Sequence, residues 1–187
     1  NTDYVVIREN TGGLYTGVGG IENQGEPTEV ATQAMVYTRK QVERCIRFAF
    51  ETAVKRNQTK PWVGLSAKEK DSGKIGKVTL CGKTNVLLYV FGLWNRVFKE
   101  VAEEYPQIST DYTHVDAVCV HMVERPQVFD VIVTSNMFGD TLKSKISETE
   151  PFTPLSVYAL SKVSSFYICE YFKKVHNLKV FGGIFFN

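Results

Sequence analysis

Between residues 77 and 134, strand-like and helix-like runs alternate along the chain, and the last of them, FDVIVT at residues 129–134, is a nearly unbroken apolar strand. A strand with one wet face alternates apolar and polar side chains, whereas a run like this one suits a parallel sheet covered on both faces. Alternating element types that end in such a strand define the α/β class. The same reading gives a strand at residues 77–80 (KVTL) and a helix capped by Asn85. That helix carries the stripe Leu87, Val90, Phe91, Trp94, Val97, Phe98 and Val101, wide enough for an internal core or for a helix-helix contact between subunits. A strand at 108–113 follows, then a helix bearing Val115, Val118, Cys119, Met122 and Val123 that stops before Pro126.

Upstream, residues 4–7 alternate as a strand, a Gly-rich stretch occupies 17–25, and strand character returns at 29–37, which together describe a β arm. Thr38 and Gln41 form a capping box before Val42, Cys45, Ile46, Ala49, Phe50 and Ala53, so a helix is expected over 39–56. Residues 57–77 are polar and Gly-containing and read as an exposed loop. With 22 Lys plus Arg against 20 Asp plus Glu and no basic cluster, nucleic acid is not an expected partner. The longest apolar run, residues 86–94, is too short for a bilayer, and no leader pattern opens the chain, so the expectation is a cytoplasmic protein without a membrane partner. Cys45, Cys81, Cys119 and Cys169 stand apart without a CxxC pair and read as buried thiols, and His114, His121 and His176 are scattered. The chain opens on Asn1 with a strand already under way, which reads as a start inside a domain.

Four separated segments carry the chemistry: RENTGGLY at 8–15, KVTLCGKTN at 77–85, HVD at 114–116 and DVIVTSNMFGD at 130–140. In order and spacing they resemble the β-decarboxylating dehydrogenases, the family of isopropylmalate, isocitrate and tartrate dehydrogenases, over residues 1–143. The wording RENTGGLY, AEEYP, HVDAV and TSNMFGD is more similar to the isopropylmalate and tartrate side. The resemblance implies oxidation of a malate-like 2-hydroxy acid, loss of its β-carboxylate, a nicotinamide cofactor (NAD or NADP) and Mg²⁺ or Mn²⁺. Arg8 offers a planar fork for a substrate carboxylate, or a salt bridge at the edge of the core. Tyr15, after a Gly-Gly pair, is suited to protonate the enolate carbon, or is one more packed tyrosine. Lys83 at a strand end acts with Asp116 in the proton relay on the hydroxyl, or is simply exposed. Asp116 binds the divalent cation or caps its helix, and Asp140, beyond the carboxyl end of a buried strand, is a metal ligand. In this family Lys83 and Asp116 enter the neighbouring subunit's site, so the resemblance implies a homodimer.

The sequence departs from the family where Ser144 takes the place of the second metal carboxylate, one helical turn after Asp140. No segment matches the family's nucleotide-fold domain, so the isolated chain is expected to be silent. The remainder, residues 144–187, contains EPFTPLSVYALSK, NLKV and GIFFN and resembles GDP-mannose 4,6-dehydratase, an extended short-chain dehydrogenase with a Rossmann-type fold. There the resemblance makes Tyr158 and Lys162 the catalytic YxxxK pair and places Asn187 at the substrate. The whole reads as a chimera joined near residue 143: a partial isopropylmalate-dehydrogenase-like central domain with a β arm and dimer-forming helices, plus a helix-strand fragment. The rival functions are a catalytically silent dimerisation module and a dehydratase-like fragment.

Overall fold

Six strands and five helices follow one another along residues 3–142, the part of the chain that the computed structural model describes. Two compact units divide the chain, Asn1–Gly139 and Asp140–Asn187, and the sheet belongs to the first. Strands β1 (Val5–Arg8), β4 (Gly76–Gly82), β5 (Ile108–His114) and β6 (Val131–Thr134) form one parallel sheet in the order β1-β6-β4-β5. Val131 pairs with Val5 on one side and Val78 on the other, and Gly76 to Gly82 run in register with Ile108 to His114. The FDVIVT run is thus an interior strand, and each residue of β6 is buried. Parallel strands require crossovers, which are right-handed. The crossovers β1 to β4 and β4 to β5 move in one direction across the sheet, so helices α1 (Arg39–Asn57) and α3 (Leu88–Glu103) share a face, while α4 (Val115–Glu124), on the return to β6, covers the other.

Helix α1 starts where its capping box demands: Thr38 accepts from the Gln41 N–H, and Gln41 reaches back to the Thr38 N–H. Its end lies one residue beyond the expected span because Asn57 donates to the Ala53 carbonyl at 2.8 Å and to Asp130 at 2.7 Å, which holds the last turn closed. The apolar stripe of α1 meets that of α3 over Val78, Leu80, Val131 and Val133. Phe50 stacks on Tyr105 at 5.2 Å and tilts against Phe98 at 5.4 Å, and Trp94 meets Tyr37 edge-on at 5.5 Å.

Three expectations are corrected. Phe91, Trp94, Val97, Phe98 and Val101 are buried within the chain's own core, so their apolar character needs no second subunit to cover it and gives no argument for a dimer. Helix α3 is not capped by Asn85, because Val86 N and Leu87 N both donate to the Lys83 carbonyl in a turn that includes Asn85, and the helix follows Leu87. Residues 57–77 are not wholly an exposed loop: Trp62 and Leu65 are buried, and α2 (Ala67–Asp71) begins at a second capping box, Ser66 with Glu69.

The β arm is present. Strands β2 (Gly19–Glu22) and β3 (Val30–Gln33) pair antiparallel, with every residue of both exposed. No helix among the described residues is long and apolar enough to cross a membrane.

Candidate functional site

In a parallel sheet all the carboxyl ends lie along one edge, where α/β folds bind ligands. Arg8 ends β1 opposite Thr134, and Thr134 pairs with Cys81 near the end of β4. Beyond Thr134 the chain turns into α5 (Asn136–Leu142). The Arg8 guanidinium donates from Nε to Asn136 Oδ1 at 3.0 Å, and its Nη2 donates to the same oxygen. The stem of Arg8 lies across Gly139 so closely that a Cβ there would meet Cγ and Cδ at 2.5 Å.

Immediately after Arg8 the chain folds back on itself around a buried carboxylate. Glu9 accepts from the Thr11 and Gly12 N–H groups at 3.0 and 2.8 Å and from the Thr11 hydroxyl. Gly12 and Gly13 pass directly under Tyr37, where a Cβ on either would come within 2.7 Å of that side chain, and Gly13 has φ +89°. Glycine is required at position 13 twice over, by backbone conformation and by space. Burial pushes the Tyr37 hydroxyl up to about 12. The turn delivers Leu14–Thr16, a single 3₁₀ turn in which Tyr15 is 58% exposed.

Strands β4 and β5 end level, Gly82 against His114, so the residues just past them are neighbours. Lys83 Nζ donates to Asp116 Oδ1 at 2.9 Å, with the lysine side chain 25% exposed and the aspartate 69%. The hydrogen bond from Lys83 holds the Asp116 carboxyl below its usual range. Asp116 is not the helix cap, a position that His114 occupies without a side-chain bond; it lies in the first turn, where the helix dipole favours its charge. Behind the pair, Tyr112 accepts from the Thr84 N–H at 2.9 Å and stands 3.2 Å from His114 Nδ1.

Two sets of expected site residues are therefore assembled, Arg8 with the turn before Tyr15, and Lys83 with Asp116. Asp140 is the fifth residue of α5 and belongs to the second compact unit. Among the described residues no three His, Cys, Asp or Glu side chains are close enough to hold a metal ion. Cys45 and Cys81 are buried thiols, each pushed up to about 12 by desolvation. Tyr158, Lys162, Asn187 and Ser144 lie outside the described residues, as does the proposed junction near residue 143. Asn136, Tyr37 and Glu9 were not singled out by sequence. The signal for Asn136 was its place in TSNMFGD, directly after a buried strand and at the start of a helix.

The family model described as isocitrate/isopropylmalate dehydrogenase matches residues 1–150, past residue 143 where the sequence resemblance was expected to end. A 3-isopropylmalate dehydrogenase of Corynebacterium glutamicum is 46% identical over 140 residues, covering 75% of this chain and 36% of that protein. The Streptomyces griseus 3-isopropylmalate dehydrogenase is 47% identical over 140 residues, 75% of this chain and 35% of that one. A solved structure of isocitrate dehydrogenase from Methylococcus capsulatus superposes with a TM-score of 0.62 at 39% identity, covering 76% of this chain and 37% of that chain. The chain thus spans little more than a third of the length of these relatives.

Proposed function

The chain belongs to the isocitrate/isopropylmalate dehydrogenase family, and we propose that it carries the substrate-side groups for oxidative decarboxylation of a malate-like 2-hydroxy acid of the isopropylmalate type. The Lys83–Asp116 pair carries this reading. A half-exposed ion pair contributes little to stability, yet its two members come from different strand ends, 33 residues apart, at the edge of the sheet where ligands bind. In this reading Lys83 exchanges the proton of the substrate hydroxyl with Asp116 poised behind it, Arg8 holds a substrate carboxylate through its planar fork, and Tyr15 delivers a proton to the carbon left by decarboxylation. The similarity to 3-isopropylmalate dehydrogenases supports the substrate class.

A nicotinamide cofactor would accept the hydride, and Mg²⁺ or Mn²⁺ would polarise the substrate oxygens. The described residues of a single chain do not fit a closed metal site, since Asp116 is engaged by Lys83 and lacks two further ligands of its kind beside it. The steps assigned to this chain are therefore those of its own side chains. The exposed β2–β3 ribbon supports a homodimer, which would let Lys83 and Asp116 serve a neighbour's site.

Calorimetric titration with 3-isopropylmalate and with D-malate, in the presence of Mn²⁺, tests the reading. Binding by the wild type, weakened by about ten- to a hundredfold in Arg8→Gln, the loss expected for a hydrogen bond to a charged group, supports it. No binding of either acid by the wild type overturns it.

A further inference from the structure

Asn136 is 3% exposed and its amide group and backbone N–H hydrogen-bond three separate segments near the site. Its Oδ1 accepts from Arg8 Nε and Nη2, its Nδ2 donates to the Gly12 carbonyl at 2.9 Å, and its backbone N–H donates to the Tyr37 hydroxyl at 2.8 Å. We propose that Asn136 is the positioning residue of this site, a joint that fixes the Arg8 guanidinium and the Gly12–Gly13 turn ahead of Tyr15 in one geometry. This rests on the reading of Arg8 and Tyr15 as substrate-facing groups.

The chemistry of the joint selects an amide. Arginine presents only donors, and Gly12 presents a carbonyl, so the connecting side chain must offer an acceptor on one arm and a donor on the other. A carboxylate at position 136 would satisfy Arg8 but turn an oxygen toward the Gly12 carbonyl, and an apolar side chain would satisfy neither. Because the guanidinium is planar and rigid, fixing its Nε–Nη2 edge fixes the direction of the whole fork. The stem of Arg8 is confined against Gly139, so little rotational freedom remains once the bond to Asn136 is made. Tyr37 completes the arrangement: it anchors the Asn136 backbone and at the same time roofs Gly12 and Gly13, so that one aromatic ring sets the distance between the two clamped segments.

The test uses the full chain without ligand and reads solvent exchange of the arginine Nε–H groups by NMR. The wild-type Arg8 Nε–H is expected to exchange more slowly than that of the mostly exposed Arg44. Asn136→Leu, of similar size, should remove that protection by about tenfold or more, the loss expected for a hydrogen bond to a charged group, while Asn136→Asp should keep it. Both variants should bind 3-isopropylmalate more weakly than the wild type, Asn136→Asp through the loosened Gly12 turn alone. Arg8 exchanging as fast as Arg44 in the wild type overturns the proposal, and this comparison stands even if Asn136→Leu does not fold. Unchanged protection in a folded Asn136→Leu overturns it equally. Absence of 3-isopropylmalate binding to the wild type overturns the functional reading alone, because the exchange measurement contains no ligand.

Discussion

Asp130 lies at the amino end of β6, away from the edge of the sheet that carries Arg8, and it is wholly buried. Its carboxylate accepts from Asn57 Nδ2 at 2.7 Å, from the Lys77 N–H at 3.0 Å and from Arg56 Nε at 3.2 Å. It ties the end of α1 to the starts of β4 and β6, and the bare Cα of Gly76 leaves room for it. Asp130→Ala would take one acceptor from the Asn57 amide, which keeps the Ala53 carbonyl, and from the Arg56 guanidinium, which keeps Asp3, and would remove the acceptor of the Lys77 N–H, a change expected to cost about 1–3 kcal/mol. Urea unfolding measures it, and a midpoint equal to that of wild type would show that this network is not holding the sheet. At this scale the sequence was legible where a residue's chemistry is rare for its setting: an arginine at a strand end, or a Gly-Gly before a tyrosine. It was not legible for Asn136, because asparagine is common after strands, and only the three-dimensional approach of Arg8, Gly12 and Tyr37 distinguishes this one.

Helix α2 shows what a capping box does for a short element. Glu69 accepts from the Ser66 N–H and hydroxyl and also from the Ser109 hydroxyl on β5, so five residues of helix are fastened to the sheet through one carboxylate. The bonds from Ser109 and Ser66 lower its pKa to about 2 from the usual 4.5. A carboxyl whose folded pKa is depressed adds stability that is complete above its unfolded pKa and is lost as pH falls through the folded one. The Tm gap between wild type and Glu69→Gln is therefore expected to be constant at neutral pH, to narrow from about 4.5 downward and to close near 2. A gap that is the same at both ends of that window would refute the assignment. The element boundaries teach the same lesson about legibility. Helix α1 is legible almost to the residue because stripe and capping box agree, whereas α2 is not, because five residues carry no periodicity and its capping box is embedded in a polar stretch. The α3 stripe is legible as apolar but its partner is not, since a period identifies a face without saying what covers it.

At the scale of the whole molecule, the β2–β3 ribbon stands out because Ile21 and Val30 remain about half exposed, as does Val18 beside them. Two strands alone are marginally stable in water, so a second copy is the natural cover. Sedimentation is expected to show a dimer that Ile21→Asp with Val30→Asp converts to monomer; a monomeric wild type at concentrations of about tens of micromolar, where a weak interface still forms, would remove this support. Because the matched relatives extend well beyond the region shared with this chain, the isolated chain is expected to reduce neither NAD⁺ nor NADP⁺ with 3-isopropylmalate. Reduction above the enzyme-free rate that disappears in Lys83→Ala would contradict this. The pairing of β1 with β6 carries a further consequence, for synthesis. Among the described residues, Val5 to Arg8 pair in the sheet with Val131 to Thr134 alone, so a nascent chain emerging at about 5–20 residues per second must wait roughly ten seconds between the synthesis of these two strands. Arg8 meets Asn136 only after β6 has left the ribosome, so the Arg8 clamp forms later than the contact between Lys83 and Asp116 can.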